Sequence, residues 1–434
     1  MSTRRRTGPL GRRFVGGAKW LLVGSAAGRA LSLAGTIVAA RILVPREFGQ
    51  LTYIQAAITF LAGFAILGLN VAVTKSVAAS RARSLAEAGE LVRLSLWIVA
   101  VSGGALSLGV FLLRSQVAAL LGSAQLADQL AQGSLAVVAG ATSGVAIGAL
   151  NGLEAFRAVA IVSSLRSVLS SALMVAGAIW NGLAGAITGW AVGESVAAIF
   201  AAITVVRRCR DMGAWGFSRR SAATWRSLRA IGFSAFAANV AVTLALVLGQ
   251  RILAGQPSGY EHVAQFNIAY RWCLAVLFIP ASIAPILLPL LANLRAEGDV
   301  TAFARLLRTN LWMNVALTAL PAVVLIIFRH EVLGLSGSAY AGQSATFVVL
   351  MIATVPIALN SVMSQAALSL DAIRAWLLSD LALAVTVVGV AWMLVPVHES
   401  LGLAIGYAVA YLVTCGVLAF PLRGHVLGLD PGHP

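Results

Sequence analysis

The chain carries a six-residue stretch twice, LEAFRA at 153–158 and LDAIRA at 370–375, at a separation of 217 positions. The same separation relates GAITGWAV at 185–192 to GLAIGYAV at 402–409. Four matches in one order, at nearly one offset, predict that the chain is an internal repeat of two halves. In the third match, RIL at 41–43 recurs as RIL at 251–253, at an offset of 210. In the fourth, LVR at 91–93 corresponds to LLR at 306–308, at an offset of 215.

The composition determines the solvent in which these halves fold. Of the 434 residues, 59% are hydrophobic and 11% are charged, and the mean hydropathy is +0.91. A soluble domain carries about 25% charged residues, so this chain lacks the charge to cover a water-facing surface. Soluble enzymes, disordered chains and disulfide-rich secreted modules are thereby excluded. The net charge of +16 would suit a nucleic-acid-binding protein, but the hydrophobicity would not, and a membrane protein is predicted.

Apolar runs of membrane-spanning length recur along the whole chain. A bilayer core of about 30 Å requires about 20 mostly apolar helical residues, and the runs end at polar or Pro/Gly-rich breaks. We therefore predict an all-α polytopic membrane protein with about twelve transmembrane helices. The predicted spans are 20–43, 51–73, 94–113, 133–152, 158–180, 183–206, 231–250, 262–292, 310–328, 344–368, 376–396 and 401–422.

The positive charges predict the orientation of the spans, because cytoplasmic loops are enriched in Lys and Arg. With the N-terminus inside, 23 of the 31 Lys and Arg residues lie on the cytoplasmic side, five lie outside and three lie within spans. Both termini are therefore predicted to be cytoplasmic.

Each predicted half holds six spans, so both halves enter the membrane from the same side and the repeat is parallel. The predicted domains are an N-terminal six-helix lobe at 1–206, a basic cytoplasmic linker at 207–229 and a C-terminal six-helix lobe at 230–434. The linker holds seven Arg among aromatic residues. That mixture suits either a segment lying on the anionic inner leaflet or a solvated basic loop.

Three arginines fall inside predicted spans, where Arg at the helix centre costs on the order of 3 kcal/mol. Arg29 and Arg271 lie on polar faces of spans one and eight, Asn267 marks span eight as well, and Arg166 lies among serines in span five. The polar faces predict a shared lumen of spans one, two, seven and eight. Arginine there favours an anionic, phosphorylated substrate, because a guanidinium binds phosphate bidentately. The alternatives are that Arg29 and Arg271 snorkel or pair with acids, and that the serines beside Arg166 serve helix packing.

Acidic residues define two further hypotheses. Glu194 and Asp380 are the clear carboxylates inside predicted spans, and neither lies on the spans placed around the lumen. Acid-x-x-Arg pairs occupy equivalent predicted cytoplasmic loops of the two halves. They could form an inner-gate ion-pair network that breaks when the gate opens, or their repetition could only reflect duplication of the sequence. These gating candidates are Glu154, Arg157, Asp371 and Arg374.

No metal or redox motif is found in the sequence. The three cysteines lie far apart and the five histidines form no metal-ligand pair, so no metal, disulfide or catalytic cofactor is predicted.

Two stretches near the start carry a resemblance to a known family. AARILVPREFGQL at 39–51 and AILGLNVAVTK at 65–75 resemble the opening of the Wzx-type polysaccharide flippases, in the multidrug/oligosaccharidyl-lipid/polysaccharide exporter superfamily. The resemblance implies two six-helix lobes in the bacterial cytoplasmic (inner) membrane. It also implies translocation of undecaprenyl-pyrophosphate-linked oligosaccharide between leaflets, without covalent chemistry, for cell-surface or exopolysaccharide biosynthesis.

The resemblance further implies how the substrate is held. Such flippases bind the pyrophosphate and sugars in a cationic central cavity, and Arg29 and Arg271 match the arginines that they carry on their first and eighth helices. Arg251, at the outer end of span seven, is an additional candidate. Coupling to a proton or sodium gradient is typical of the family, with Asp380 and Glu194 as the candidates here. The implied partners are the lipid-linked glycan, membrane lipid, a polysaccharide polymerase and a chain-length regulator.

Three alternatives stay open at this point. A cation-coupled drug antiporter of the same superfamily would carry carboxylates on the cavity faces, where this sequence has Arg29. A membrane polymerase or ligase would need a sizeable extracytoplasmic loop, whereas the longest ones here, 114–132 and 329–343, are short and lack a catalytic cluster. A non-transporting scaffold for polysaccharide assembly is also compatible with the sequence.

Overall fold

The computed structural model describes residues 26, 28–81, 84–214, 236, 240–342 and 344–427. Within these ranges the chain is almost entirely helical and contains no β-strand. In chain order the helices are α1 (28–42), α2 (Pro45–Ile66), α3 (Leu69–Arg81), α4 (Leu85–Leu112), α5 (Arg114–Leu120), α6 (Ala127–Gly133), α7 (Leu135–Gly152), α8 (Phe156–Asp211), α9 (Val240–Ala254), α10 (Gly259–Val276), α11 (Phe278–Ala296), α12 (Val300–Ile327), α13 (Arg329–Gly334), α14 (Ser344–Ser369) and α15 (Ile373–Leu427).

Seven of the described helices are long and apolar enough to cross a membrane. Two of these, α8 with 56 residues and α15 with 55, each contain two predicted spans joined without a loop. The backbone leaves the helical region at Asn181 and Gly182 in α8 and at Glu399 in α15. A polytopic, all-helical membrane fold is confirmed. The count of twelve spans, the parallel repeat and the side of the termini stay predictions.

Closely packed glycines explain how α8 folds back on itself. A Cβ atom added to Gly185 would lie 2.0 Å from the carbonyl oxygen of Gly177, and one added to Gly189 would lie 2.0 Å from that of Leu173. These pairs run in opposite directions along the chain, so the two arms of α8 form an antiparallel hairpin. Small residues at a spacing of four allow the two backbones to touch.

Two predicted spans, 51–73 and 262–292, are each interrupted rather than continuous. The first is divided into α2 and α3 at Leu67 and Gly68, whose φ angles are 52° and 70°. The second is divided into α10 and α11 at Leu277, three residues before Pro280. That proline has no N–H to donate to the carbonyl of Val276, so the helix breaks there.

The chain contacts divide the protein into two compact units. The first draws on Met1–Gly35, Ile58–Ala118 and Ala124–Asn239, and the second on Thr36–Ala57, Ala119–Ser123 and Val240–Pro434. Two segments of the predicted N-terminal lobe therefore pack within the second unit. The boundaries of the lobes and the linker at 207–229 stay predictions, and residues 215–229 of that linker lie outside the described residues.

Candidate functional site

A buried ion pair joins the two arms of α8 in the first unit. Arg166 Nε lies 2.7 Å from Glu194 Oε2, and Ser170 Oγ donates to Glu194 Oε1 at 2.8 Å. Glu194 is 5% exposed, so its charge requires these partners. The structure thus pairs a predicted substrate-binding arginine with a predicted ion-coupling carboxylate.

The serines of α8 also form the surface on which α1 packs. A Cβ atom added to Gly28 would lie 3.2 Å from Ser167 Oγ, and one added to Gly35 would lie 2.5 Å from Ser171 Cβ. Contact with α1 is therefore one role of this serine face. Arg29 follows Gly28 on α1 and belongs to the first unit, where its side chain is exposed.

We expect Glu194→Gln to lower the thermal stability of the protein in detergent. The change leaves the Arg166 guanidinium without a charged partner, and breaking a half-exposed pair of this kind costs about 2 kcal/mol. Thermal unfolding of the purified variant measures the loss. Ser195→Ala is the matched control, because the Ser195 hydroxyl only returns to the Ala191 carbonyl of its own helix. Equal unfolding temperatures for Glu194→Gln and the wild type would contradict the expectation.

Asn267 and Arg271 lie one helical turn apart on α10 in the second unit. Asn267 Nδ2 donates to the carbonyl oxygen of Val263 at 2.9 Å and lies 3.5 Å from Gln250 Oε1. This amide contact joins α9 to α10, and both side chains are buried. Arg271 is half-buried.

Three aromatic rings next to Arg271 were not singled out in the sequence. The rings of Phe266 and Tyr270 stack with centroids 5.8 Å apart, and Tyr407 of α15 lies 5.4 Å from Phe266 and 5.8 Å from Tyr270. The stretch containing Tyr407 was visible as part of the repeat, but only the fold brings this ring to α10. Helix α10 therefore carries a cation and an amide on one face and two rings of an aromatic cluster on the adjoining face.

Arg251, the remaining predicted substrate-binding residue, lies at a different place in the second unit. Its Nε is 3.3 Å from the position that a Cβ atom on Gly122 would take. Arg41, the equivalent residue in the first repeat, donates from its guanidinium to the backbone carbonyls of Leu335 and Gly334. The two arginines thus contact corresponding loops of the opposite sequence halves.

These contacts belong to a larger set, which we call the outer seam, formed by residues 41–53, 119–123, 251–260 and 334–340 of the second unit. The rings of Phe48 and Tyr340 lie 6.4 Å apart, and the Tyr53 hydroxyl donates to the Leu121 carbonyl at 2.6 Å. All three side chains are at most 2% exposed. Burial raises the pKa of the Tyr340 phenol above its ordinary value.

The closest approach in the outer seam involves Gly49. A Cβ atom on this residue would lie 1.7 Å from the carbonyl oxygen of Tyr260 and 2.6 Å from its carbonyl carbon. Distances this short mean that α2 and the start of α10 touch backbone to backbone. In the predicted topology this seam lies on the extracytoplasmic side.

The predicted gating acids are held within their own units. Glu154 binds Arg81 at 2.6 Å, and Asp371 binds Arg295 at 2.7 Å. Each arginine also donates to a backbone carbonyl of the turn before the acid, at 2.9 Å in both cases. Both acids have left-handed backbone conformations, with φ angles of 54° and 57°. The structure therefore brings the acids to Arg81 and Arg295, which the sequence motif did not indicate. The gating role of Arg157 and Arg374 stays a prediction.

Asp380, the second ion-coupling candidate, lies half-buried on the first arm of α15. It is within electrostatic range of Tyr411 on the second arm. Among the residues that the structure describes, no group of His, Cys, Asp and Glu side chains is arranged to hold a metal ion.

The fold is that of a polytopic membrane transporter. It is similar to an inward-facing multidrug resistance MATE family transporter of the MOP superfamily, with a TM-score of 0.75 and 16% identity over 94% of this chain and 96% of that chain. It is also similar to the lipid II flippase MurJ in an inward closed conformation, with a TM-score of 0.73 and 14% identity over 93% of this chain and 87% of that chain. A MOP superfamily transporter from Pyrococcus furiosus matches with a TM-score of 0.68 and 15% identity, over 94% and 96% of the two chains.

The family follows from the sequence itself. Residues 14–295 match the polysaccharide biosynthesis protein family, and the chain belongs to that family. No curated protein matches the chain. The solved structures with which it shares its fold include a multidrug resistance transporter and a lipid II flippase.

Proposed function

We propose that this protein is a flippase that moves undecaprenyl-pyrophosphate-linked oligosaccharide across the bacterial cytoplasmic membrane for cell-surface or exopolysaccharide biosynthesis. The observation that carries the proposal is that a member of the polysaccharide biosynthesis protein family keeps arginines inside its predicted spans. A cation antiporter needs carboxylates to attract its substrate, whereas Arg29 and Arg271 attract an anion.

The chemistry of the substrate matches the groups around Arg271. The guanidinium provides fixed donors for pyrophosphate oxygens. The half-buried ring of Tyr270, the residue before Arg271, offers a flat apolar face of the kind suited to a sugar, and the buried Phe266 and Tyr407 rings pack behind it. The polyprenyl tail remains in the bilayer, so the protein shields only the polar part of the substrate. Arg29, in the first unit, stays a proposed substrate-binding residue.

Release of the substrate requires the outer seam to open, in an alternating-access cycle. The seam contains buried aromatic side chains, and several of its polar contacts are to backbone carbonyls, which supports its proposed role as the closed barrier. A proton or sodium gradient would drive the cycle. We propose Asp380 as the coupling carboxylate, because Glu194 is already occupied by Arg166 and Ser170. A polysaccharide polymerase and a chain-length regulator would act on the product.

We expect the purified protein in proteoliposomes to expose fluorescent polyprenyl-pyrophosphate-linked oligosaccharide to the opposite leaflet. A membrane-impermeant glycosidase measures the fraction of glycan that becomes accessible. Empty liposomes give the background rate, and an organic-cation dye tests the antiporter alternative in the same vesicles. The expected result is glycan translocation without dye transport.

Other outcomes of this assay identify the rival functions. Dye transport coupled to a cation gradient, without glycan translocation, would make the protein a drug antiporter. An increase in glycan length would indicate a polymerase, and transfer to a new acceptor would indicate a ligase. The genes next to this one provide a separate check, because glycosyltransferases and a chain-length regulator are expected there.

A further inference from the structure

A cationic groove lies at the predicted cytoplasmic end of α12, in the second unit. It is a shallow, largely open recess of about 700 Å³ along one face of α12. Its walls combine two guanidinium groups, two hydroxyls, an indole and a thioether. Besides Ala304, the lining residues are Thr301, Arg305, Arg308, Thr309, Trp312 and Met313.

These residues occupy one stripe of the helix. They recur at intervals of three and four residues, which places them on the same face. The opposite stripe, including Phe303, Leu307 and Thr318, is buried against the rest of the unit. The groove therefore faces away from the protein, and Trp312 is 70% exposed.

The acid closest in sequence to the groove, Asp299, caps α12 and also lies within electrostatic range of Arg305. Asp299 Oδ1 accepts hydrogen bonds from the backbone N–H of Ala302 and from Thr301 Oγ1, both at 2.8 Å. These bonds, with the backbone bond first in importance, hold the pKa of Asp299 below its usual range. Its carboxylate is directed to the helix N-terminus, as expected of an N-cap.

Beyond the groove the exposed stripe of α12 becomes apolar. Leu320 is 72% exposed, and Val323, Val324 and Ile327 continue the same face. From Trp312 to Ile327 the helix rises by roughly 22 Å at 1.5 Å per residue, which exceeds the ~15 Å depth of one hydrocarbon leaflet. An indole between a cationic end and an apolar stripe is the arrangement found where a helix crosses the lipid headgroup region.

We propose that this groove binds one anionic glycerophospholipid of the cytoplasmic leaflet. The lipid phosphate lies against Arg305 and Arg308, the hydroxyl of Thr309 donates to its oxygens, and the acyl chains run along Trp312 and the apolar stripe. A guanidinium pair selects an anionic headgroup over a zwitterionic one. The site lies apart from Arg271 and does not rest on the transported substrate.

Native mass spectrometry of the full-length protein in detergent tests this site. Phosphatidylglycerol and phosphatidylcholine with the same acyl chains are titrated into the wild type and into the double variant Arg305→Gln/Arg308→Gln. We expect one phosphatidylglycerol molecule to bind the wild type about 10-fold more tightly than phosphatidylcholine, and the double variant to lose that preference. Arg423→Gln is the matched control, because Arg423 is an exposed arginine near the end of α15 that stacks on Phe420.

Three other outcomes of this titration would overturn the proposal. Equal binding of the two lipids, or an unchanged preference in the double variant, would show that the arginines do not form a lipid site. Loss of the preference in Arg423→Gln as well would show a general effect of surface charge. If undecaprenyl pyrophosphate binds at Arg305 and Arg308 while phosphatidylglycerol does not, the groove receives the substrate lipid. Arg305→Lys/Arg308→Lys keeps the charge and is expected to retain part of the preference, which separates binding from misfolding.

Discussion

Replacement of Gly49 by Ala is expected to prevent the outer seam from closing and to reduce transport by at least about fivefold. The added methyl group would lie 1.7 Å from the carbonyl oxygen of Tyr260, and backbone atoms cannot rotate away from it. Overpacking in a close-packed site costs ~1–3 kcal/mol. A cost of that size shifts a two-state equilibrium by roughly 5- to 150-fold, here away from the closed seam.

Chemical labelling measures the seam directly. Ser123 is 4% exposed, so Ser123→Cys should resist a membrane-impermeant maleimide when the seam is closed. The background protein has its native cysteines replaced by Ala. We expect rapid labelling when Gly49→Ala is added, together with slow translocation of the lipid-linked glycan.

Gly342→Ala provides the matched control for this prediction. Gly342 lies next to the seam in sequence and on the same predicted side, but a Cβ atom there meets nothing within 4 Å. This variant should label and transport as the parent does. Slow labelling of Ser123→Cys in the Gly49→Ala protein, with normal transport, would show that the contact between Gly49 and Tyr260 is not a gate.

The sequence predicted the helical membrane fold because that fold depends on composition and on the length of apolar runs. A run of 20 apolar residues has few alternatives to a transmembrane helix. The spacing of four between Gly185 and Gly189 can be read from the sequence, and the hairpin of α8 uses both glycines for close contact between its arms. Interruptions were harder to predict. Leu67 adopts a left-handed conformation that nothing in its residue type favours, so the break between α2 and α3 depends on tertiary packing.

Residues of the candidate site could be predicted from the sequence only where the residue type and its immediate sequence neighbours reveal them. An arginine inside an apolar span is visible in a sequence, and so Arg29, Arg166 and Arg271 were found. Their partners were not, because Glu194 reaches Arg166 across a hairpin and Tyr407 reaches Tyr270 from a distant helix. The acids Glu154 and Asp371 were assigned to a motif with neighbouring arginines, whereas the fold supplies Arg81 and Arg295. Sequence spacing reports neighbours along one helix, and these pairs form between helices.

Replacement of Arg29 or Arg271 by Ala is expected to reduce glycan translocation by about 10- to 100-fold, and the double replacement to abolish it. Hydrogen bonds from a charged group contribute roughly 1.5–3 kcal/mol, and the loss of one guanidinium removes that interaction with the pyrophosphate. The protein should still reach the membrane, because an arginine inside a membrane span disfavours insertion and its removal does not.

The choice of substitution separates the role of charge from that of geometry. Arg271→Lys keeps a cation but loses the planar fork that binds two phosphate oxygens, so its transport rate should lie between those of the wild type and Arg271→Ala.

Arg114→Ala is the matched control, since Arg114 forms only an exposed ion pair with Asp128 at 3.5 Å, and it should transport normally. Glycosidase accessibility of the glycan in proteoliposomes gives the rate for every variant. Normal translocation by the double variant would remove Arg29 and Arg271 from the site while leaving the flippase function intact. If the wild-type protein does not translocate the glycan in the same vesicles, the flippase function itself is rejected, whatever the roles of Arg29 and Arg271.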